Sequence, residues 1–498
     1  MIAILACWGA AAVAFFYHGG YILYLGDAES HLNIARRIVD SRTPGIDQVG
    51  TVWLPLPHLL MVPFAARDDL WKSGLAGAIP SAICFVIAGS FLFAAARRVF
   101  ASNAAGAAAL ALFALNPNVM YLHSTPMSEP AFFAAFMATL YFTVLFRENQ
   151  AWWAAAGAAL ACCAGTLARY EGWFVIPAVC LYFLFAAREH RIRTAVWVGA
   201  IASLGPLAWL AHNWYWFGDA LYFFRGPSSP DAIQGGKPYN GHGDWVLAAV
   251  YYQAAAVWCA GTALRWIGMA GILAAIARKA FWPVLFLSLP GVFYIWNIHS
   301  GASPIHVPNL EPHSWYNTRY GLAAIPLAAF AAAALVTFVP LRTRRWAALV
   351  LAVAASVPWL LHPTPESWIT WKESQVNSQA RREWTRQAAG FLSARYRAGD
   401  GIFTSFSDLT GIYRTMGLPL RETLTWDNEP QWLVTTKRPD LFLWEQWAVC
   451  LGGDPVQTAI NRALRQGPYY ELVDRIVVKD APVVEIYRRS LRNENPVH

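Results

Sequence analysis

The chain has 498 residues, of which 57% are hydrophobic and only 14% charged. Soluble proteins carry about 25% charged residues, so this composition excludes an ordinary soluble globule. The formal net charge of +8 does not indicate nucleic acid, because the basic residues stand in compact groups between apolar runs, as on the cytoplasmic side of membrane proteins.

The missing charge is unevenly spread. Residues 1–362 hold long Ala/Leu/Phe/Trp stretches, whereas 363–498 read as polar globular sequence. A transmembrane domain over 1–362 and a soluble domain over 363–498 follow. The start, Met1 to Leu25, is apolar without a basic opening or a clear cleavage site, so it predicts a retained first helix. Runs able to cross, or nearly cross, a core of about 30 Å occur at about 2–25, 74–96, 103–122, 130–146, 151–167, 173–187, 194–212, 258–277, 281–298, 321–340 and 346–362. They predict about eleven crossings. With the N-terminus inside, Arg97-Arg98, the group Arg188, His190, Arg191 and Arg193, Arg278-Lys279, and Arg342 with Arg344-Arg345 all fall on the cytoplasmic side. The C-terminal domain is then extracytoplasmic, and 26–73, 116–129, 213–257 and 299–320 become external. Six of the seven cysteines lie in apolar stretches, so no disulfide framework is predicted and no Cys/His spacing reads as a zinc site.

In the first external segment, Leu32, Ala35 and Ile38-Val39 fall opposite Asn33, Arg36-Arg37 and Asp40, which predicts a helix lying in the interface plane. Trp53 to Met61 predicts a second interfacial segment. In the terminal domain, Trp368 to Ala394 predicts a helix, Gly401 to Phe406 a strand, and Ser407 or Asp408 the cap of a further helix. Asp440 to Trp444 predicts another strand, and Asp474 to Lys479 with Val483 to Tyr487 a closing hairpin. The domain class is α/β.

Candidate functional residues follow from charges placed at membrane edges, where they are costly. Asp27 and Glu29 succeed the first membrane helix, with His31 one turn later. Two carboxylates and an imidazole in five residues suit a general base with an orienting partner, or oxygen ligands for a hard metal ion, Mg or Mn. Helix capping by Asp27 is the simpler reading. Glu129 heads a helix beside Pro130 and either complements its dipole or acts on substrate. In Arg169-Tyr170-Glu171-Gly172, Arg169 and Glu171 either pair with each other or leave Arg169 to an anionic headgroup. Arg319 and Tyr320 begin a late helix, either as an interfacial anchor or as a phosphate site.

These elements, in this order, resemble the GT-C superfamily of integral membrane glycosyltransferases, in particular the protein O-mannosyltransferase and lipid A aminoarabinose transferase type. The motifs are Asp27-Ala-Glu, Ser128-Glu129-Pro, Arg169-Tyr-Glu-Gly and Arg319-Tyr, over about residues 1–340. The resemblance implies a GT-C-like fold and an inverting transfer from a polyprenyl-phosphate-sugar donor to a glycan, lipid or protein acceptor, in a bacterial inner or plasma membrane. It implies catalysis by Asp27, with Glu29 and Glu129 holding acceptor or metal. Substrate contacts then fall to His31, Arg169, Tyr170, Glu171, Arg319 and Tyr320, with Arg319 on the lipid phosphate. The W-W-D-Y-G-type motif of the oligosaccharyltransferase branch is not found. A transporter or lipid flippase with a charged outer cavity is the alternative, and a non-catalytic scaffold a third reading. Transporters favour mid-membrane charges and repeated halves. Here the carboxylates stand at helix ends and no repeat is visible.

Overall fold

Long runs of Ala and Leu broken by Phe, Trp and Tyr satisfy their own backbone hydrogen bonds only as helices in an apolar medium, and helices fill most of residues 1–374. The computed structural model describes residues 1–229, 232–233 and 235–490; the expected loop 213–257 and the terminal domain 363–498 each include residues outside these. Six helices are long and apolar enough to cross a membrane: Leu75–Val99, Glu129–Asn149, Arg191–Phe217, Trp245–Ala277, Phe281–His299 and Thr318–Phe338. Shorter apolar helices include Ile2–His18, Asn103–Ala114, Trp152–Ala168 and Glu171–Ala186. The chain is an integral membrane protein.

Several runs differ from their sequence reading, for local reasons. The first helix stops at His18, where Gly19-Gly20 follows and Gly20 takes φ +73°. The 103–122 run is two helices, Asn103–Ala114 and Pro117–Leu122, because the Asn116 side chain caps the second through the Asn118 and Val119 amides and Pro117 occupies its first position. The 213–257 loop is shorter than expected, since flanking helices extend to Phe217 and back to Trp245. That second helix breaks at Gly261, which has φ +76° and no room for a Cβ against the Trp359 ring. The carbonyl freed nearby at Cys259 accepts from the Asn116 and Asn118 side-chain amides at 2.9 and 3.1 Å.

The chain forms two compact units. The first comprises Met1–Ile22, Thr51–Pro57 and Ala78–Ser374. Its most enclosed helix is Glu129–Asn149, with 89% of its apolar window buried, packed against Trp152–Ala168 and stacked through Phe136 on Phe286 at 4.3 Å between centroids. Trp245–Ala277 approaches Ile325–Ala333 so closely that a Cβ on Gly271 would lie 2.4 Å from the Ala331 carbonyl carbon. Small residues permit such approach in membranes. Gly271→Val is expected to destabilise the protein by about 1–3 kcal/mol through overpacking, read as a lowered melting temperature in detergent. Leu273→Val, at an exposed position on the same helix, serves as the comparison.

The second unit comprises Leu23–Gly50, His58–Gly77 and Gln375–His498. Its sheet holds β1 (Ile402–Thr404), β2 (Thr423–Leu424), β3 (Trp447–Leu451), β4 (Tyr469–Ile476) and β5 (Val484–Ser490) in the order β2-β1-β3-β5-β4. β1 runs parallel to β2 and β3; β5 is antiparallel to β3 and β4. The closing hairpin and the helix Ile369–Ser393 agree with the sequence. The expected strand at 440–444 does not: Pro439 opens a short helix, Pro439–Phe442, and the strand begins at Trp447. One core joins Leu32, Ala35, Met61 and Trp71 of the early segments to Trp384, Leu392, Ile412, Val449 and Ile486. The helix Gly26–Arg37, expected to lie in the interface plane, is buried on its polar face as well as its apolar one. Asn33, Arg36, Arg37 and Asp40 are buried; Trp71, Asp40 and Asp68 partner the first two, and Asp427 and Arg421, from distant sequence, the last two.

Candidate functional site

In the first unit, four chain segments place ionisable groups together. Glu129 is the first residue of Glu129–Asn149; Arg169 ends the Trp152–Ala168 helix and Glu171 starts the next. Arg319 lies on the 3-10 turn Thr318–Ala324. Arg169 uses its whole fork: Nε to Glu171 Oε1 at 2.7 Å, Nη1 to Ser128 Oγ at 2.7 Å and Glu129 Oε1 at 3.0 Å, and Nη2 to the Tyr294 hydroxyl at 2.9 Å. Arg319 donates from Nε to Glu129 Oε1 at 3.2 Å and sets Nη1 3.6 Å from Glu373 Oε1. The Tyr294 hydroxyl also donates to Glu171. The Tyr320 ring, stacked on Tyr294 with centroids 4.5 Å apart, lies beneath both guanidinium groups, at 5.5 Å from Arg169 and 5.2 Å from Arg319.

The simple pairing of Arg169 with Glu171 is thus present, inside a larger network. Arg319 is not a surface anchor: it is only 8% exposed. Tyr170 donates its hydroxyl to the Val52 carbonyl at 2.9 Å and accepts from Trp209. Glu373 and Tyr294 were not singled out by sequence. Glu373 accepts from the Asn317 and Thr318 amides at 3.0 and 2.8 Å and from the Thr318 hydroxyl, and so fixes the turn that carries Arg319. Burial pushes its carboxyl up, against the pull of Arg319 and these donors. Its one signal was an acidic residue four positions after Ile369 on a Trp-rich helical face.

In the second unit, Asp27 and Glu29 occupy the first turn of Gly26–Arg37, where the helix dipole favours carboxylates. The N-cap is Leu25 and makes no side-chain cap bond, so the capping role considered for Asp27 is not the one observed. Asp27 is half-buried. Glu29 and His31 turn to different partners. Glu29 is buried on Arg414, 2.8 Å away, and His31 Nδ1 lies 2.8 Å from His58 Nε2, both rings buried. Further along, Arg36 joins Asp40 at 2.8 Å and Asp68 at 2.6 Å, and Arg37 joins Asp427. Among the described residues no group of three His, Cys, Asp or Glu is arranged to hold a metal ion. Asp27 and Glu29 offer oxygens of the right kind, but the Arg414 guanidinium competes with a cation for Glu29.

Residues 70–216 match the dolichyl-phosphate-mannose-protein mannosyltransferase family. In structure the chain is similar to ArnT from Cupriavidus metallidurans bound to undecaprenyl phosphate, with TM-score 0.58 and 12% identity over 96% of this chain and 97% of that one. The apo state of the same protein gives 0.53 and 13%, with the same coverage. The oligosaccharyltransferase of Archaeoglobus fulgidus in its apo form gives 0.45 and 12%, over 89% of this chain and 69% of that one. No curated protein matches the chain in sequence. At this identity the ArnT likeness establishes the fold, and the GT-C resemblance drawn from Asp27-Ala-Glu, Ser128-Glu129-Pro and Arg319-Tyr holds to that extent.

Proposed function

We propose that the chain is an inverting membrane glycosyltransferase that moves a sugar from a polyprenyl-phosphate carrier to an acceptor at the extracytoplasmic face of a bacterial inner or plasma membrane. One observation carries the reading: two arginines, the buried Arg319 and the partly buried Arg169, meet at helix ends on one carboxylate, in a bundle with the fold of ArnT, a protein seen with undecaprenyl phosphate. Guanidinium forks match phosphate oxygens.

Two groups of residues share the chemistry. Asp27 takes the proton of the acceptor hydroxyl, or orients it, as that oxygen bonds to the anomeric carbon. The bond from that carbon to the phosphate oxygen breaks on the opposite face. Negative charge then builds on the departing polyprenyl phosphate, and Arg319 with Arg169 stabilises it there more than in the ground state. Glu29, held by Arg414, keeps the Asp27 helix in place, and His31 and Tyr320 supply contacts to substrate. No step is assigned to a metal ion. The sugar is a hexose or pentose unit; its identity, and whether the acceptor is glycan, lipid or protein, are open to assay. Neither the fold nor the family match supports the transporter alternative.

The test is the purified protein with radiolabelled polyprenyl-phosphate sugars, scored for transfer or donor hydrolysis. Movement of the lipid across vesicles without any sugar transfer would sink the enzyme reading.

We place the N-terminus in the cytoplasm, the chain crossing about eleven times and the terminal domain outside. A cysteine at Ser228 is then expected to react with a membrane-impermeant thiol reagent in intact cells, above the wild-type background, and one at Thr343 is not. The reverse labelling would invert the topology.

A further inference from the structure

The cluster around Arg169 and Arg319 sets three carboxylates, Glu129, Glu171 and Glu373, against two guanidinium groups. The donors of both forks are engaged by these acceptors, and a phosphate brings at least one further negative charge that needs the same donors. Phosphate binding, on which the proposed function depends, therefore requires a carboxylate to give way. The three are not equivalent. Glu373 is clamped by two backbone amides and a hydroxyl. Glu171 holds both Arg169 Nε and the Tyr294 hydroxyl. Glu129 presents one oxygen, Oε1, to both arginines, 3.0 Å from Arg169 Nη1 and 3.2 Å from Arg319 Nε.

We infer that this oxygen occupies the seat of a donor-phosphate oxygen, and that the lipid-linked phosphate binds by displacing Glu129. A carboxylate oxygen in a fork of two guanidinium groups has the same acceptor chemistry as a phosphate oxygen. The position suits an anion for a second reason. It lies at the N-terminus of a 21-residue helix whose N-cap, Ser128, makes no cap bond there. Until donor arrives, Glu129 Oε1 occupies donors of both forks and keeps the buried site intact. Once the donor is seated, it exchanges the internal anion for the one that leaves in the reaction.

The inference rests on the donor chemistry proposed above, and the experiment separates the two. Farnesyl phosphate is titrated into the full-length detergent-purified protein as wild type, Glu129→Gln and Glu171→Gln, with melting temperatures recorded for each. Glu129→Gln keeps the side-chain shape and removes the competing charge. It is expected to tighten binding by at least about tenfold, since like charges in contact are costly. Glu171→Gln removes an equal charge but leaves Glu129 Oε1 in its seat between the two forks, and is expected to tighten binding less than Glu129→Gln. Glu129→Asp, drawn back by one methylene, is expected to tighten binding less, and stands in should Glu129→Gln misfold. Unchanged or weaker binding in folded Glu129→Gln and Glu129→Asp overturns the displacement. Absence of binding in wild type and all variants overturns the donor reading itself.

Discussion

Asp27→Asn is expected to lower the turnover of sugar transfer by roughly 10²- to 10⁴-fold, the range for loss of a general base, while donor affinity stays near wild type. Asp27 stands in the first turn of Gly26–Arg37 and is not its N-cap, which is Leu25. The helix is held elsewhere, by Glu29 on Arg414, Arg36 on Asp40 and Asp68, and Arg37 on Asp427. Asn keeps the size of the side chain and removes only the basic oxygen. Single-turnover transfer with saturating donor is the measurement, beside donor binding and melting temperature. Turnover close to wild type would show that Asp27 only favours the helix dipole, and the base would then be sought elsewhere. Glu29→Gln makes the contrast: breaking a buried pair with Arg414 is expected to cost stability before chemistry.

Arg319→Ala is expected to weaken donor binding by about ten- to a hundred-fold, the equivalent of about 1.5–3 kcal/mol for a hydrogen bond to a charged group. Arg319→Lys is expected to fall between, because Lys carries the charge without the planar fork. The arginine also balances Glu129 and Glu373, both buried, so Arg319→Ala will lower the melting temperature as well. Affinities are therefore compared at temperatures where all three proteins are folded. Equal affinities would show that Arg319 serves only to neutralise its two carboxylates, and the phosphate would need another cation.

The residues legible in the sequence were those that contradicted their surroundings. Glu129, Arg169, Glu171 and Arg319 stand out because an ion at the edge of an apolar run has to be explained. Tyr294 sits inside the run Phe281–His299 and reads as one more aromatic in a membrane helix. Glu373 sits in polar sequence, where an acid needs no explanation, and its importance comes from the turn at Asn317-Thr318 that it closes. The same limit applies to the helix Gly26–Arg37. Helical periodicity correctly placed Asn33, Arg36, Arg37 and Asp40 opposite Leu32 and Ala35. It gave no sign of their burial, because Asp427 and Arg421, which cover Arg37 and Asp40, lie nearly four hundred residues away. A pattern of spacing describes one helix and not what is brought against it.

The make-up of the second unit has a consequence for how the protein is built. Its early pieces, Leu23–Gly50 and His58–Gly77, share one core with Gln375–His498. At ordinary rates of synthesis of about 5–20 residues per second, the ribosome needs roughly 15–60 s to pass from one to the other. Throughout that interval Arg36 retains Asp40 and Asp68, but Arg37, Asp40 and Glu29 await Asp427, Arg421 and Arg414. The segment bearing Asp27 thus leaves the ribosome early and matures last. A nascent chain halted before 375 has every early apolar run but lacks the partners that complete the Asp27 helix. On the role proposed for Asp27, shortened or stalled products are expected to lack transfer activity.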